Sequence, residues 1–415
     1  MSTLRETTPC PMSGASDRVP LPEVRDLLVI GTALPFRVLD AQGRLLLNEG
    51  HVLADEAQFE ALVERGAWAE RALVQAARKA LGASGAAGKV LTGQLTLFDR
   101  WERLLWQYDK LSRALVRQEE KAGAVLAFHA LVVELVDRDP DAALFLCVRQ
   151  DDRRFALYPL THALSCTVIS ILAGRQLKLP DAQATALGCA ALTMNLVLFE
   201  LQAKMAEQSD PPSKRQLDQI RAHPMAAVQL LRAAGVTDED WLGAVADHHE
   251  RPGGGGYPRD LAEVGELAQA LRAADVYMAK ISPRAQRAPM SPQMAMRQLF
   301  QQRSGDKLAM AMVKTLGAHP PGSLVQLASG EVGVAIRRPA TGTHPLVATL
   351  TDRHAVPCAQ THNRDTAQPE FAIQGPLADA TRFPRVLPER VYGALIGLTG
   401  LTGQTGQTGQ TGQTG

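Results

Sequence analysis

Cysteines, excess charge and long hydrophobic runs are all scarce in this sequence, and each shortage excludes a class of protein. Five cysteines are scattered over 415 residues without a CxxC pair, which argues against a disulfide framework and against a zinc knuckle. The formal net charge is +1 at pH 7. A chain without a basic excess is not expected to take nucleic acid or an anionic membrane as its main partner.

The N-terminal residues and the apolar stretches bear on where the protein works. Residues 1–20 are polar and lack the apolar segment of a signal peptide or an anchor. The longest apolar stretch, residues 186–201, falls short of the roughly 18 residues that a membrane-spanning helix needs. We therefore expect a cytoplasmic protein without a membrane span, whose thiols are reduced and buried.

Composition and periodicity divide the chain into segments. Alternating apolar residues on both sides of a turn at 40–43 predict a β-hairpin, and Asp55 is placed to cap a short helix. The stretch 83–88, rich in Gly, Ala and Ser, is typical of a linker. We expect disorder at 1–22, a small α+β module at 23–75, linker or dimerisation helices at 90–140, a helical core at 141–318, a small β-sheet at 319–355 and a tail at 363–415 with disordered Thr-Gly-Gln repeats.

Two of these segments leave alternatives open. The small N-terminal module could receive a signal or simply pack on the helical domain, and we favour packing. Trp101 lies with apolar neighbours on one face of an amphipathic helix, which suits either a core or the seam of a homodimer. The central buried helix is expected at 182–208, because the middle of that stretch is apolar on nearly all sides.

The most distinctive stretch runs from His248 to Pro258 and reads His-His-Glu-Arg-Pro-Gly-Gly-Gly-Gly-Tyr-Pro. Histidine is the commonest metal ligand in proteins at neutral pH, and glycines let a backbone turn sharply and approach a ligand closely. A solvated helix end followed by a flexible turn would explain a single histidine. The histidine pair, the glutamate and the Gly-Tyr-Pro closure together favour a site.

This stretch resembles the signature of the HD-GYP family, a branch of the HD superfamily of metal-dependent phosphohydrolases. The matching residues are His248, His249, Glu250, Gly254, Gly256, Tyr257 and Pro258, while Gly253 stands where the family usually has an aspartate. The resemblance covers residues 90–355 well and 25–70 loosely. It implies a mainly α fold, with a helical HD-GYP-like core followed by a small antiparallel β-sheet. In the family, the Gly-Tyr-Pro loop is associated with partner contacts.

Carried over by motif position, the resemblance implies five metal ligands. They are His162, His223, His248, His249 and Asp275. Family members hold two or more divalent metals, which activate water and bind the phosphate, and such metals need neutral imidazoles and ionised carboxylates. The three-histidine remnant formed by His223, His248 and His249 could hold one divalent metal (Fe, Mn or Zn) or none.

Other family positions carry different residues. Met194 and Asn195 stand where the namesake His-Asp pair belongs, and Val197 and Leu198 replace the usual Gly-Lys. Tyr158 stands at the position of an acidic residue found in three-metal members. An asparagine is uncharged, and a thioether is a poor ligand for the harder metals used in hydrolysis. We therefore expect little or no phosphodiesterase activity and assign no catalytic residue.

Two arginines, Arg284 and Arg287, stand where active family members usually carry a basic pair near the substrate phosphates. Arginine forks match phosphate oxygens bidentately. The alternative interpretation is a pair of solvated loop arginines. Met278 replaces an aspartate that is usual in this stretch, which is a further departure from the family pattern.

The resemblance, together with the departures from its metal pattern, implies a pseudoenzyme in signal transduction, which binds cyclic di-GMP or a GGDEF-type partner without cleaving the nucleotide. The first alternative is an active, metal-dependent cyclic di-GMP phosphodiesterase with an atypical metal site, to which Asn195, Asp247 or Glu250 would contribute. The second alternative is a structural module without a ligand.

Overall fold

The computed structural model describes residues 17–84, 95–150, 154–285, 287–302, 306–339, 343–358, 360–377, 383 and 386–393. Within these ranges the chain is mainly helical, with one small antiparallel sheet near each end. The predicted fold class, a helical core with small antiparallel sheets, is confirmed.

A four-stranded sheet and two helices form the N-terminal module. Its elements are β1 (Arg18–Pro20), β2 (Val38–Leu39), β3 (Leu45–Leu47), α1 (Glu56–Glu64), β4 (Trp68–Glu70) and α2 (Arg71–Ser84), with the strand order β1-β4-β2-β3. The predicted hairpin is the antiparallel pair of β2 and β3. The predicted cap is also present, since the Asp55 side chain accepts a hydrogen bond from the backbone N–H of Gln58. Both predictions are confirmed.

The prediction of disorder at 1–22 is wrong for its last residues. β1 is followed directly by a 3-10 turn at Leu21–Leu27. Val19 and Leu21 are buried in the module, and the Leu21 N–H donates to the Ala67 carbonyl at 2.9 Å. Two apolar residues are too few to show a period, so the sequence pattern gave no signal here. Residues 1–16 and most of the predicted linker lie outside the described residues.

The helical core follows the linker region. Its helices are α3 (Leu97–Val116), α4 (Ala122–Arg138), α5 (Pro140–Val148), α6 (Tyr158–Leu177), α7 (Asp181–Thr193), α8 (Phe199–Glu207), α9 (Lys214–Ala233), α10 (Glu239–Asp247), α11 (Glu266–Ile281), α12 (Pro292–Gln302) and α13 (Lys307–Leu316). α6 is almost entirely buried, and α5, α7, α11 and α13 pack around it. Trp101 and Trp106 of α3 are buried within one chain, so both act as core residues. A homodimer stays a prediction.

The predicted central helix at 182–208 is interrupted in its middle. α7 ends at Thr193, and a 3-10 turn separates it from α8. The Thr193 hydroxyl donates to the Cys189 carbonyl at 2.7 Å, and a hydroxyl that bonds the carbonyl four residues back often bends a helix. The break falls at the pair Met194-Asn195. The two residues that replace the family's His-Asp pair therefore lie at a helix end.

Two helical stretches are long and apolar enough to cross a membrane, contrary to the expectation from the sequence. They are Phe155–Leu177 and Asp181–Glu207. In their most apolar windows, 89% and 67% of the residues are buried inside the protein, and core helices commonly pass the same test of length and composition. Polar residues interrupt both stretches, so neither is an unbroken apolar run, although the average hydropathy of each is high.

The C-terminal sheet has more strands than the sequence predicts. β5 (Leu324–Leu327), β6 (Val332–Arg337) and β7 (Leu346–Thr349) are the three predicted strands and are confirmed. β8 (Asn363–Asp365) and β9 (Ile373–Pro376) extend the sheet in the order β8-β7-β6-β5-β9. The predicted tail at 363–415 is thus wrong for these edge strands and for α14 (Pro388–Tyr392). Short edge strands gain their stability from the neighbouring strand, so their own sequence need not alternate. The Thr-Gly-Gln repeats lie outside the described residues.

Candidate metal centre

Three histidines from α9 and from the end of α10 come together. His223 lies in α9, His248 is the C-cap residue directly after α10, and His249 follows it. One ring nitrogen from each of the three lies within 4.8 Å of the others, and their ring centroids are 4.1 to 5.1 Å apart. We call these residues the three-histidine group. The structure brings together these three predicted ligands, while their role as ligands stays a prediction.

Hydrogen bonds to the backbone fix the orientation of two of these rings. His223 Nδ1 lies 2.5 Å from the Ile220 carbonyl, and His248 Nδ1 lies 2.7 Å from the Val245 carbonyl. A carbonyl only accepts, so each Nδ1 carries the proton of its neutral ring and each Nε2 keeps a lone pair. The two Nε2 atoms face each other at 3.1 Å.

Two facing lone pairs repel unless a cation or a proton lies between them. Around a tetrahedral zinc ion, nitrogen ligands are about 3.3 Å apart, which is close to the 3.1 Å between the two Nε2 atoms. Backbone carbonyls that hold the far nitrogen of a ligating imidazole are a regular feature of metal sites. The donor set of the three-histidine group therefore fits one divalent metal, and its imidazole nitrogens would supply the ligands.

Burial keeps these imidazoles neutral, as a metal ligand must be. It lowers the pKa of His223 to about 3, with the neighbouring His248 adding to the effect. Burial likewise lowers the pKa of His248, and it holds the pKa of His249 well below the ordinary histidine value. All three rings are consequently neutral at pH 7, and each keeps one unprotonated nitrogen that is available to a metal.

We predict that these pKa shifts make the metal-free protein acid-sensitive. Below pH 6.5 the unfolded chain protonates His223, whereas the folded protein resists protonation down to a pKa of about 3. The free energy of unfolding should therefore fall with falling pH, by at most about 1.4 kcal/mol per pH unit for one such group. Urea unfolding in EDTA at pH 7 and pH 5 measures the slope. The His223→Gln variant should lose less stability over this interval, and equal losses in both proteins would contradict the prediction.

The other two predicted ligands form a second group with a cysteine. His162 Nε2 lies 2.8 Å from Asp275 Oδ1 and 3.6 Å from Cys166 Sγ. The nitrogen, the sulfur and the carboxylate oxygen all lie within 4.8 Å of one another. Burial works to raise the pKa of Asp275, but the hydrogen bond with His162 outweighs it and holds that pKa below the usual range. Asp275 is therefore an ionised carboxylate among buried imidazoles.

Tyr158 occupies the position of the family's extra acidic residue. Its ring stacks on the His162 ring with centroids 5.3 Å apart, and its hydroxyl lies 3.3 Å from His162 Nδ1. Burial raises the pKa of Tyr158 to about 12, so the hydroxyl stays neutral at pH 7. Tyr158 orients His162 and adds no negative charge to the site.

The residues at the positions of the namesake pair are both buried. Met194 is fully buried and Asn195 is 3% exposed. The Nδ2 group of Asn195 has no hydrogen-bond partner among the described residues. A buried amide without partners is costly in free energy, and no charge is available at this position to balance a metal ion. Of the two residues that replace Gly-Lys, Leu198 is buried and Val197 is exposed.

The two predicted phosphate-binding arginines lie in different surroundings. Arg284 is half-buried: it donates to the Tyr158 hydroxyl, and its guanidinium lies 4.8 Å from the centre of the Tyr158 ring. Arg287 is exposed and donates to the Ala279 carbonyl at 2.6 Å. Arg284 is thus linked to His162 through Tyr158, whereas Arg287 is tied to the backbone of α11.

Glu250 supports the Gly-Tyr-Pro loop. It is fully buried, and its carboxylate accepts hydrogen bonds from the backbone N–H groups of Arg259 at 2.6 Å and Leu261 at 3.0 Å. The neighbouring Asp247 forms an ion pair with the Arg259 side chain. Asp247 and Glu250, the two carboxylates that the alternative with an atypical metal site would use, therefore both bond to residues of this loop. Tyr257, which precedes a cis proline, stacks on His249 with centroids 4.5 Å apart.

Gly256 tolerates no side chain, and we predict that Gly256→Ala destabilises the protein. A Cβ atom there would lie 2.5 Å from Glu250 Cα and 2.7 Å from Arg251 N, both backbone atoms. Overpacking of this kind costs about 1 to 3 kcal/mol. A matched control is Gly243→Ala in α10, where a Cβ meets nothing within 4 Å and a helical Gly-to-Ala change should be neutral or stabilising. Thermal unfolding compares the two, and equal melting temperatures would contradict the prediction.

A cavity of about 570 Å³ lies apart from the histidines. It is bounded by the N-terminal module, by α3, α5 and α6, and by residues 386–389. The cavity reaches Tyr158, but none of the five predicted ligands lines it. It is therefore separate from the site that the histidines form, and the predicted nucleotide binding gains no support from it.

Comparison with known proteins gives a family match over the region that holds the histidines. Residues 150–308 match a family model described as the HD domain. The chain is 27% identical over 235 residues to the cyclic di-GMP phosphodiesterase PA4108 of Pseudomonas aeruginosa, with 54% of this chain and 56% of that protein covered. The chain thus spans about half the length of this curated relative. The solved structure of Bd1817, an HDG"Y"P protein from Bdellovibrio bacteriovorus, has a TM-score of 0.46 at 14% identity, covering 72% of this chain and 98% of that chain.

Proposed function

Because the chain belongs to the HD-GYP family, with residues 150–308 as its HD domain, we propose that it is a signalling module that binds cyclic di-GMP without hydrolysing it. The proposal extends to the loop of Gly254, Gly256, Tyr257 and Pro258 as the contact surface for a GGDEF-type or other signalling protein. One observation carries the loss of hydrolysis. A buried, uncharged amide, that of Asn195, stands where the resemblance places an aspartate that bridges two metals.

The electrostatics of a two-metal site support this proposal. Two dications about 4 Å apart repel each other by roughly 17 kcal/mol at an effective dielectric constant of about 20. Anions between the ions must offset that repulsion. Asp275 supplies one carboxylate, and Asn195 cannot supply a second. Asp247 and Glu250 are held by Arg259 and by the loop backbone, so neither compensates for the missing aspartate.

Without a bridged pair of ions, the remaining chemistry is binding. Imidazoles of the three-histidine group would hold one metal, and a single ion polarises a phosphate less than a pair does. Arg284 lies close to His162 through Tyr158, so its guanidinium would meet a phosphate group on the side of that histidine. A nucleotide can therefore be recognised by charge while the water that would attack it is not activated.

We predict that cyclic di-GMP binds the purified protein and that Arg284→Ala weakens this binding. Loss of a charge-assisted hydrogen bond costs about 1.5 to 3 kcal/mol, so the Kd should rise about 10- to 100-fold. Arg287→Ala is the matched comparison, because Arg287 is exposed and bonded to a backbone carbonyl, and its effect should be smaller. Isothermal titration calorimetry measures both. A wild-type protein that gives no binding, or equal effects of the two substitutions, would refute the proposal.

An active phosphodiesterase with an atypical metal site is the second candidate function. The observation that favours it is the presence of two groups of potential ligands, the three-histidine group and the group of His162, Cys166 and Asp275. Two ions could be held separately by these groups without a shared carboxylate. Metal content alone would not separate this candidate from the first. Turnover of cyclic di-GMP by metal-loaded protein does.

A further inference from the structure

Cys166 is a residue that the family resemblance does not assign to the metal site. It lies on α6 four residues after His162, so the two side chains share one face of the helix. Cys166 is fully buried, and its sulfur lies 3.6 Å from His162 Nε2. Asp275 of α11 meets the same histidine nitrogen from the neighbouring helix at 2.8 Å. Three chemically different ligand atoms thus converge within 4.8 Å.

Hydrogen bonding alone does not account for this arrangement. His162 Nδ1 faces the Tyr158 hydroxyl, which in turn accepts from Arg284. The Tyr158 proton is thereby directed to Nδ1, and Nε2 carries the hydrogen that it donates to Asp275. An Nε2 that donates cannot also accept from a thiol. The Cys166 thiol proton therefore finds no acceptor in the nitrogen that the sulfur faces.

A metal ion would satisfy all three groups. With zinc-to-sulfur and zinc-to-nitrogen distances of about 2.3 and 2.05 Å, a tetrahedral site places these two ligands about 3.6 Å apart. The observed distance from Cys166 Sγ to His162 Nε2 is 3.6 Å. Replacing the Nε2 proton by a metal ion would leave Asp275 Oδ1 and the thiolate as further ligands of the same ion.

We propose that His162, Cys166 and Asp275 bind one divalent ion, with Cys166 as a thiolate ligand, and that this thiolate makes the site selective for zinc over manganese or magnesium. On binding, the thiol proton and the Nε2 proton leave to solvent, so that the ion meets a thiolate, a neutral imidazole and a carboxylate. Soft thiolate ligands favour zinc, whereas oxygen-rich sites favour magnesium and manganese. This inference concerns which metal is held, and it stands whether or not the protein turns over cyclic di-GMP.

Cobalt substitution tests the thiolate directly, because a cobalt–thiolate bond gives a charge-transfer absorption in the near ultraviolet that nitrogen and oxygen ligands do not give. Metal-free, full-length protein titrated with Co²⁺ is expected to develop this band. The Cys166→Ser variant should lose the band and bind Zn²⁺ at this site at least about 100-fold more weakly. Cys189→Ser is the matched control, since Cys189 is a fully buried cysteine of α7, and it should keep the band.

Three outcomes would overturn the inference: a wild-type protein that takes up no cobalt, cobalt uptake without the charge-transfer band, or a Cys166→Ser protein that keeps the band. Circular dichroism checks that the variant is folded. If it is not, cadmium NMR on the wild-type protein gives the answer without a variant, because a thiolate ligand shifts the cadmium resonance strongly downfield. A resonance in the nitrogen and oxygen range only would contradict the proposal.

Discussion

The double variant Met194→His/Asn195→Asp is expected to bind divalent metal at least about 100-fold more tightly than the wild-type protein, because it restores an imidazole and an anion to the ligand set. The new carboxylate at 195 would offset the repulsion between two ions. With Mn²⁺, the variant should therefore show the exchange-coupled electron paramagnetic resonance signal of a bridged pair. The wild-type protein should show isolated Mn²⁺ ions at most.

Single variants divide this effect into its parts. Asn195→Asp alone restores the charge without the imidazole, and Met194→His alone restores a ligand without the bridge. Coupled manganese is expected wherever aspartate is present at 195, and Met194→His alone should not produce it. Turnover should recover only in part, since Leu198 still stands at the position of the family's lysine. A folded double variant whose metal affinity and manganese signal equal those of the wild type would refute the account of the site.

Much of the fold could be predicted, because its signals are local. The cap at Asp55 and the hairpin of β2 and β3 depend on residues close together in sequence. The break after Thr193 depends also on a residue far away in the sequence. The Thr193 hydroxyl accepts a hydrogen bond from Trp241 Nε1 of α10, at 2.8 Å. A contact between residues 48 positions apart leaves no mark on the helical periodicity of 182–208. The edge strands β8 and β9 were missed for a similar reason, because their partners β7 and β5 stabilise them.

The candidate site likewise has a part that could be predicted from the sequence and a part that could not. The resemblance predicts that His223, His248 and His249 form one group, and the structure brings these three residues together. The sequence could not predict that Arg284 lies against Tyr158, because these residues are 126 positions apart. Cys166 did leave a signal, namely its four-residue spacing from His162 on a predicted helix. The interpretation of the cysteines as small buried thiols makes no use of that spacing.

Hydrolysis of cyclic di-GMP by the wild-type protein is expected to be at least about 100-fold slower than by an active HD-GYP phosphodiesterase, whichever metal is supplied. Removing a single oriented group from a catalytic site commonly lowers the rate by a factor of about 100 or more. Here the bridging anion, an imidazole and a lysine are replaced together by Asn195, Met194 and Leu198. Their effects need not add, because groups that act as a unit are not independent.

The most direct test is turnover of cyclic di-GMP by protein loaded separately with Fe²⁺, Mn²⁺ and Zn²⁺, with metal content and calorimetric nucleotide binding measured on the same preparation. An active family member assayed alongside sets the scale, and chromatography of the linear and mononucleotide products measures the rate. The account predicts bound nucleotide and bound metal with product formation at least about 100-fold below that scale. Product formation at a rate comparable to that of the active enzyme, with any of the three metals, would contradict it.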